Sequence, residues 1–180
     1  MTARLPARST RRILRSAVAV CAIVAPTVAI TLTAASPAAA APPSCQTAGL
    51  VIWLDTQGNG TAGTIFYTLN FTNLSGHMCT LRGFPGVSAV NLAGHTMGKA
   101  AARDASRPVK KVTIANGATA HATLGVTDVG VLSQASCHPA TAAGLRVFPP
   151  NQTASKVIPF PFQGCSHAGP SFVRVRPVAK

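Results

Sequence analysis

The chain carries three carboxylates, Asp55, Asp104 and Asp128, and no glutamate. Glycoside hydrolysis by paired carboxylates would need two of those three to converge, so that chemistry is close to excluded. The five histidines are His77, His95, His121, His138 and His167. None stands in a His-x-His or His-x-x-x-His pair of the kind that opens a zinc site. His77, His138 and His167 lie beside Cys79, Cys137 and Cys165, so these three converge only if their turns share one end. A serine triad needs Ser, His and a buried acid. The nearest approach to a nucleophile elbow, Gly86-Val87-Ser88-Ala89-Val90, lacks the second glycine. Cys137 and His138 are adjacent, and adjacent strand residues point to opposite faces. The expectation is no catalytic residue, no metal and no cofactor.

Two features suit binding. Arg146, Arg174 and Arg176 share the outward parity of strands that could be neighbours. Side by side they would form a stripe able to grip phosphate or carboxylate, although a solvated face would look the same. Ile158-Pro159-Phe160-Pro161-Phe162 places two phenylalanines in a stiff, extended segment, expected to cover one end of the core rather than meet a partner. Asn59, Asn70, Asn73 and Asn151 stand in glycosylation-type triplets, read as accidental.

The elements that position these groups begin after an address. Residues 1–15 carry Arg4, Arg8, Arg11, Arg12 and Arg15 and no acid. An apolar run over residues 16–33 follows, and then small residues ending Ala38-Ala39-Ala40. This is the order of a secretory signal, with cleavage expected after Ala40. Pro26 and Pro37 argue against an uncleaved anchor, so no stable membrane span is expected once the signal is removed. Arg11-Arg12 before Ile13-Leu14 leaves both the general secretory and the twin-arginine route open. Cys21 follows Val20 inside the apolar run and is read as part of the discarded peptide.

Residues 41–180 keep eleven Lys and Arg against three Asp, a net charge of +8 compared with +13 for the whole chain. Outside the cell a nucleic-acid partner is not expected. Anionic envelope polymers or lipid headgroups are the accessible targets for such a field. Cys45, Cys79, Cys137 and Cys165 have no Cys-x-x-Cys spacing, and in an oxidising compartment an even count implies two disulfides.

Residues 64–73 alternate Ile65, Tyr67, Leu69 and Phe71 with Thr64, Thr68, Asn70 and Thr72, the mark of a half-buried strand. Only Phe66 breaks the polar face. Residues 110–126 read as a hairpin turning at Asn116-Gly117. Its small face of Ala118, Ala120 and Ala122 implies a bulky neighbour such as Trp53 or Phe84. Shorter strands are expected at residues 50–54, 87–92, around Leu145 and Val147, at Val157-Ile158, and at residues 173–176, with a helical turn possible over residues 99–105. The total is about seven or eight short strands, the profile of an all-β, antiparallel, immunoglobulin-like β-sandwich. In a meander Cys45 and Cys79 fall at one end, and Cys137 and Cys165 both precede strands. Strand order therefore favours Cys45–Cys79 and Cys137–Cys165. Each would close a loop of about 30 residues and remove about 3.5 kcal/mol of unfolded-state entropy.

Several pieces in order carry a family likeness: Cys45, Ala62-Gly63-Thr64, Leu69-Asn70-Phe71-Thr72-Asn73, Cys79-Thr80-Leu81-Arg82-Gly83-Phe84-Pro85-Gly86-Val87, residues 114–120, Cys137, Leu145-Arg146-Val147-Phe148-Pro149-Pro150 and Cys165. On these, residues 45–177 resemble the domain of unknown function 4232 family of exported actinobacterial proteins. The resemblance implies export and a compact β domain, and carries no reaction and no ligand. At Asn116 the family's turn would be expected to hold proline.

The reading is an exported, non-catalytic protein: signal peptide over residues 1–40, one β-sandwich domain over residues 41–180, secreted or associated with the cell envelope. Its expected role is a binding module using a basic surface. The alternatives are a passive structural protein and a secreted hydrolase with its site at the loop ends.

Overall fold

The computed structural model describes residues 40–180. The signal peptide expected over residues 1–40, with Cys21, lies outside the described residues apart from Ala40. Among the described residues there are eleven strands: β1 (Leu50–Thr61), β2 (Thr64–Asn73), β3 (Cys79–Arg82), β4 (Gly86–Val90), β5 (Thr96–Met97), β6 (Ala102–Arg103), β7 (Lys111–Ile114), β8 (Thr119–Thr127), β9 (Pro139–Phe148), β10 (Lys156–Cys165) and β11 (Val173–Val175). One helical turn, α1 (Gln134–Cys137), precedes β9. The strands form a five-stranded sheet in the order β1-β2-β8-β11-β6, a four-stranded sheet β10-β9-β4-β5, and a two-stranded sheet β3-β7. All pairs are antiparallel except β11 with β6. One core joins the inner faces: Leu50, Ile52, Leu69, Phe71, Leu124, Val173 and Val175 from the five-stranded sheet pack with Val87, Ala89, Leu145, Val147 and Ile158 from the four-stranded one. The architecture is the expected antiparallel β-sandwich.

The strand count exceeds the expected seven or eight by the short β3 and by the two-residue edge strands β5 and β6, which leave no periodic signature. Residues 99–105 contain one of them, β6, instead of a helical turn. Ala102 and Arg103 find their backbone partners across the gap, opposite Arg174 and Val175.

Residues 110–126 are not a hairpin. β7 pairs with β3, placing Ile114 opposite Cys79 and Val112 opposite Leu81, whereas β8 pairs with β2 and β11. Only Gly117 of the Asn116-Gly117 pair has positive φ, and the Ala118 amide donates to Ala115 O at 3.0 Å. That suits a type II turn rather than the doubly positive hairpin turn. The doubly positive turn lies instead at Ala62 and Gly63 (φ 45° and 73°), closing β1 onto β2. The small face of β8 does have bulky neighbours, but they are Phe71 opposite Ala120 and Leu69 opposite Ala122 on the adjoining strand. Trp53 faces outward, on the other side of the sheet.

The segment Ile158–Phe162 lies within edge strand β10, with a register shift between Pro159 and Phe162. Proline is tolerated there because an edge strand has amides with no ladder to serve. Ile65, placed on the inner parity, is 44% exposed.

Both disulfides connect as expected, Cys45–Cys79 and Cys137–Cys165. The first lies near the Leu50–Asn73 end of the β1–β2 pair. The second lies near the Thr64 end, where Phe162 and Gln163 of β10 approach Thr64 and Thr127. Beside the first, Asn73 is fully buried. Its Nδ2 donates to His77 O (2.8 Å) and Ile114 O (3.0 Å), and its Oδ1 accepts from Ser75 N (3.0 Å) and Ser75 Oγ (2.7 Å). One side chain thus fixes the β2–β3 turn and the end of β7. Asn73→Ala leaves the buried Ile114 carbonyl without that donor and is expected to lower unfolding stability by about 3 kcal/mol. Chemical denaturation should show a lower midpoint at unchanged slope.

Candidate binding surface

Arg174 on β11 and Arg176 just beyond it project from the outer face of the five-stranded sheet. Between them lies Phe66 of β2, with the guanidinium carbons 5.9 and 5.8 Å from its ring centre, within range of cation–π attraction. The three side chains meet across β8 because the intervening residue is Gly125, opposite both Phe66 and Arg174. A Cβ there would stand 2.8 Å from Arg174 Cγ and 3.0 Å from Phe66 Cε1. Phe66, which broke the polar face of its strand, is therefore a seat for two arginines. Arg174 also donates to Thr64 Oγ1 at 3.3 Å.

Arg146 does not join them. It lies on β9 in the opposite sheet, where Nη2 donates to Gly94 O at 2.7 Å and Nη1 to Thr96 Oγ1 at 3.4 Å. The expected stripe fails because β9 and β11 belong to different sheets, so shared parity does not make shared surface.

The companions of Arg174 and Arg176 come from the segment after β6. The Asp104 amide donates to Val175 O at 2.9 Å, and Arg176 Nε donates to Asp104 Oδ2 at 2.9 Å. Beyond this clasp, Arg107, Lys110 and Lys111 run beside residues 177–180 and line a groove of about 360 Å³ with Lys180. An adjoining recess of about 260 Å³ shares Arg107 and Lys180 and adds Arg176, His121 and Thr123. Its wall is part of the outer sheet face. Arg103 and Arg174 border a third recess with Asp104. Seven of the eleven cations of residues 41–180, namely Arg103, Arg107, Lys110, Lys111, Arg174, Arg176 and Lys180, therefore gather on one side. Five of them were not singled out from sequence. The available signal was Arg103, Arg107, Lys110 and Lys111 falling within nine residues of a chain so poor in acid.

Asp104 is the acid among them. Hydrogen bonding from Ser106, and then from Arg176, favours its ionised form and lowers its pKa from 3.8 to about 2. It stays ionised and occupied by Arg176.

The histidines do not form one cluster. His138 and His167 stack with ring centres 4.0 Å apart, and His167 Nδ1 lies 3.1 Å from Ser166 Oγ, beside Cys137–Cys165. His77 is at the other end of the sandwich, 3.1 Å from Ser75 O through Nδ1. The two cysteine-bearing ends are opposite, so the three turns cannot converge. Among the described residues no three His, Cys, Asp or Glu side chains gather as a metal site would require. No described helix is long and apolar enough to cross a membrane. Of the triplet asparagines, Asn73 is fully buried and Asn70 is 8% exposed, so neither is open to glycosylation in the folded domain.

Fold and surface define a disulfide-stapled antiparallel β-sandwich with its cations drawn to one side, of the kind found in oxidising compartments. Residues 45–179 match the family model described as Domain of unknown function (DUF4232), and the chain belongs to that family. No curated protein and no solved structure matches it.

The clasp has a pH signature. Because the folded pKa of Asp104 is depressed, its stabilisation is present above 3.8 and is lost as pH falls towards about 2. Asp104→Asn is expected to cost up to about 1 kcal/mol at pH 7, as for a partly exposed pair. The gap from the parent should shrink through that acid window and close below it, as read by urea titrations at several pH values.

Proposed function

We propose that the protein is exported and acts as a non-catalytic module that binds anionic polymer of the cell envelope through its basic side. The leader-like first forty residues and the two disulfides support the extracytoplasmic setting. One observation carries the binding reading. Two basic segments, residues 103–111 and 174–180, distant in sequence, are brought together around open grooves. Like charges so placed repel, and a domain with no use for them would gain by dispersing them. The acid at the clasp is spent on Arg176, which leaves Arg107, Lys110, Lys111 and Lys180 for a ligand. Guanidinium and ammonium groups at different points of one groove suit a repeating phosphate or carboxylate better than a single small anion. Lipid headgroups offer the same charge, but not repeated along one covalent chain.

The test is retention on immobilised polyphosphate and polygalacturonate, with neutral dextran as control. The parent should bind the two polyanions and lose them as salt rises. The Arg107→Ala, Lys110→Ala, Lys111→Ala triple variant should bind about tenfold or more weakly, since each cation near an anionic surface contributes roughly 1 kcal/mol. Arg146→Ala, on the opposite sheet, should bind as the parent does. Equal retention of triple variant and parent would overturn the reading.

A further inference from the structure

The outer face of the five-stranded sheet joins the basic recess to an aromatic side chain. Trp53 of β1, the one tryptophan of the chain, is 44% exposed. Its Nε1 donates to Thr72 Oγ1 at 3.2 Å. Thr72 is the register partner of Val51, one diagonal step away on β2, so the indole leans across the sheet instead of standing off it. Thr72 Oγ1 is in turn 2.9 Å from Thr119 Oγ1 on β8, which holds the donor chain in place. Trp53 sits opposite Asn70, Asn70 opposite His121, and His121 opposite Ala179. At the usual strand spacing this row runs about 14 Å from Trp53 to Ala179. It ends at the recess lined by His121, Arg107, Arg176 and Lys180.

We propose that this face binds an anionic polysaccharide, with a pyranose ring stacked on Trp53 and carboxylate or phosphate groups held by Arg107 and Lys180. The proposal rests on the polyanion-binding reading above and specifies its ligand. The aromatic face is electronegative and attracts the C–H-lined face of a sugar ring. Between the aromatic and the cations the face presents the His121 imidazole and the neighbouring Thr72 and Thr119 hydroxyls, which suit sugar hydroxyls, while the Asn70 amide is buried beneath and donates to Thr68 O at 3.2 Å. A peptide would need side-chain pockets along the row, and an acyl chain an apolar trough; Asn70 and His121 stand where those would be. A sugar-free polyanion would use the cations and leave Trp53 idle.

The single tryptophan makes the test direct. With the full mature chain, polygalacturonate should change Trp53 fluorescence saturably, and polyphosphate should not. Trp53→Ala should weaken polygalacturonate binding about fivefold to tenfold and leave polyphosphate binding unchanged. Trp53→Phe should keep most of the polygalacturonate affinity, separating ring stacking from any loss of fold. If Trp53→Ala binds both polymers as the parent does, or if the parent binds polyphosphate but not polygalacturonate, the glycan assignment is overturned while the polyanion reading stands. If the parent binds neither polymer, both fall.

Discussion

The basic side of this domain exists because a two-residue parallel pairing holds. Ala102 and Arg103 lie against Arg174 and Val175, and that contact brings the start of the segment 103–111 alongside Arg174 and Arg176 against the repulsion of their charges. Three things oppose the repulsion. Val173 and Val175 are buried in the core and cannot leave. The Asp104 amide and carboxylate grip Val175 O and Arg176 Nε. Phe66 offers its ring to both arginines of β11. Each contribution is modest: surface ion pairs are worth up to about 1 kcal/mol and cation–π contacts at partly exposed sites about the same. Apolar burial is the larger anchor, and the charges ride on it. A polyanion laid along the groove would relieve the crowding, so ligand and fold would stabilise one another.

What could be read from the residues divides along the range of the forces involved. β2 was legible because its alternation is local and its inner face is satisfied by the next strand wherever that strand comes from. The disulfides were legible because strand order alone places cysteine-bearing turns at shared ends. Residues 110–126 misled because a turn-forming Asn-Gly between two alternating runs is the same string whether the runs pair or part. Val112 and Ile114 parted from β8 because Leu81 and Cys79 offered a buried partner, a contact no local window contains. Arg146 misled for a related reason. Parity says which face of its own sheet a residue takes, and says nothing about which sheet. Phe66 was noticed as an exception, and its explanation required Gly125, about 60 positions away, to be its neighbour.

The candidate surface joins the outer face of the five-stranded sheet to two flanking segments outside it, residues 104–110 and 176–180, and this bears on what it can recognise. Loop sites adapt and enclose, which favours small ligands. Here the two ends of the sandwich are tied by Cys45–Cys79 and Cys137–Cys165, and the β2–β3 turn is fixed through Asn73. The outer face of the five-stranded sheet is left as a plane whose groups are spaced by the hydrogen-bond ladder at about 4.8 Å per strand. Such a plane cannot close around a ligand. It loses little entropy on binding because its groups are already ordered. It can meet a chain only group by group, and each contact is weak. A repeating ligand overcomes weak contacts by offering the same group again at the next position, so that neighbouring contacts act at high effective concentration. A stiff sheet face flanked by open basic grooves is thus poorly matched to a metabolite and well matched to a charged polymer.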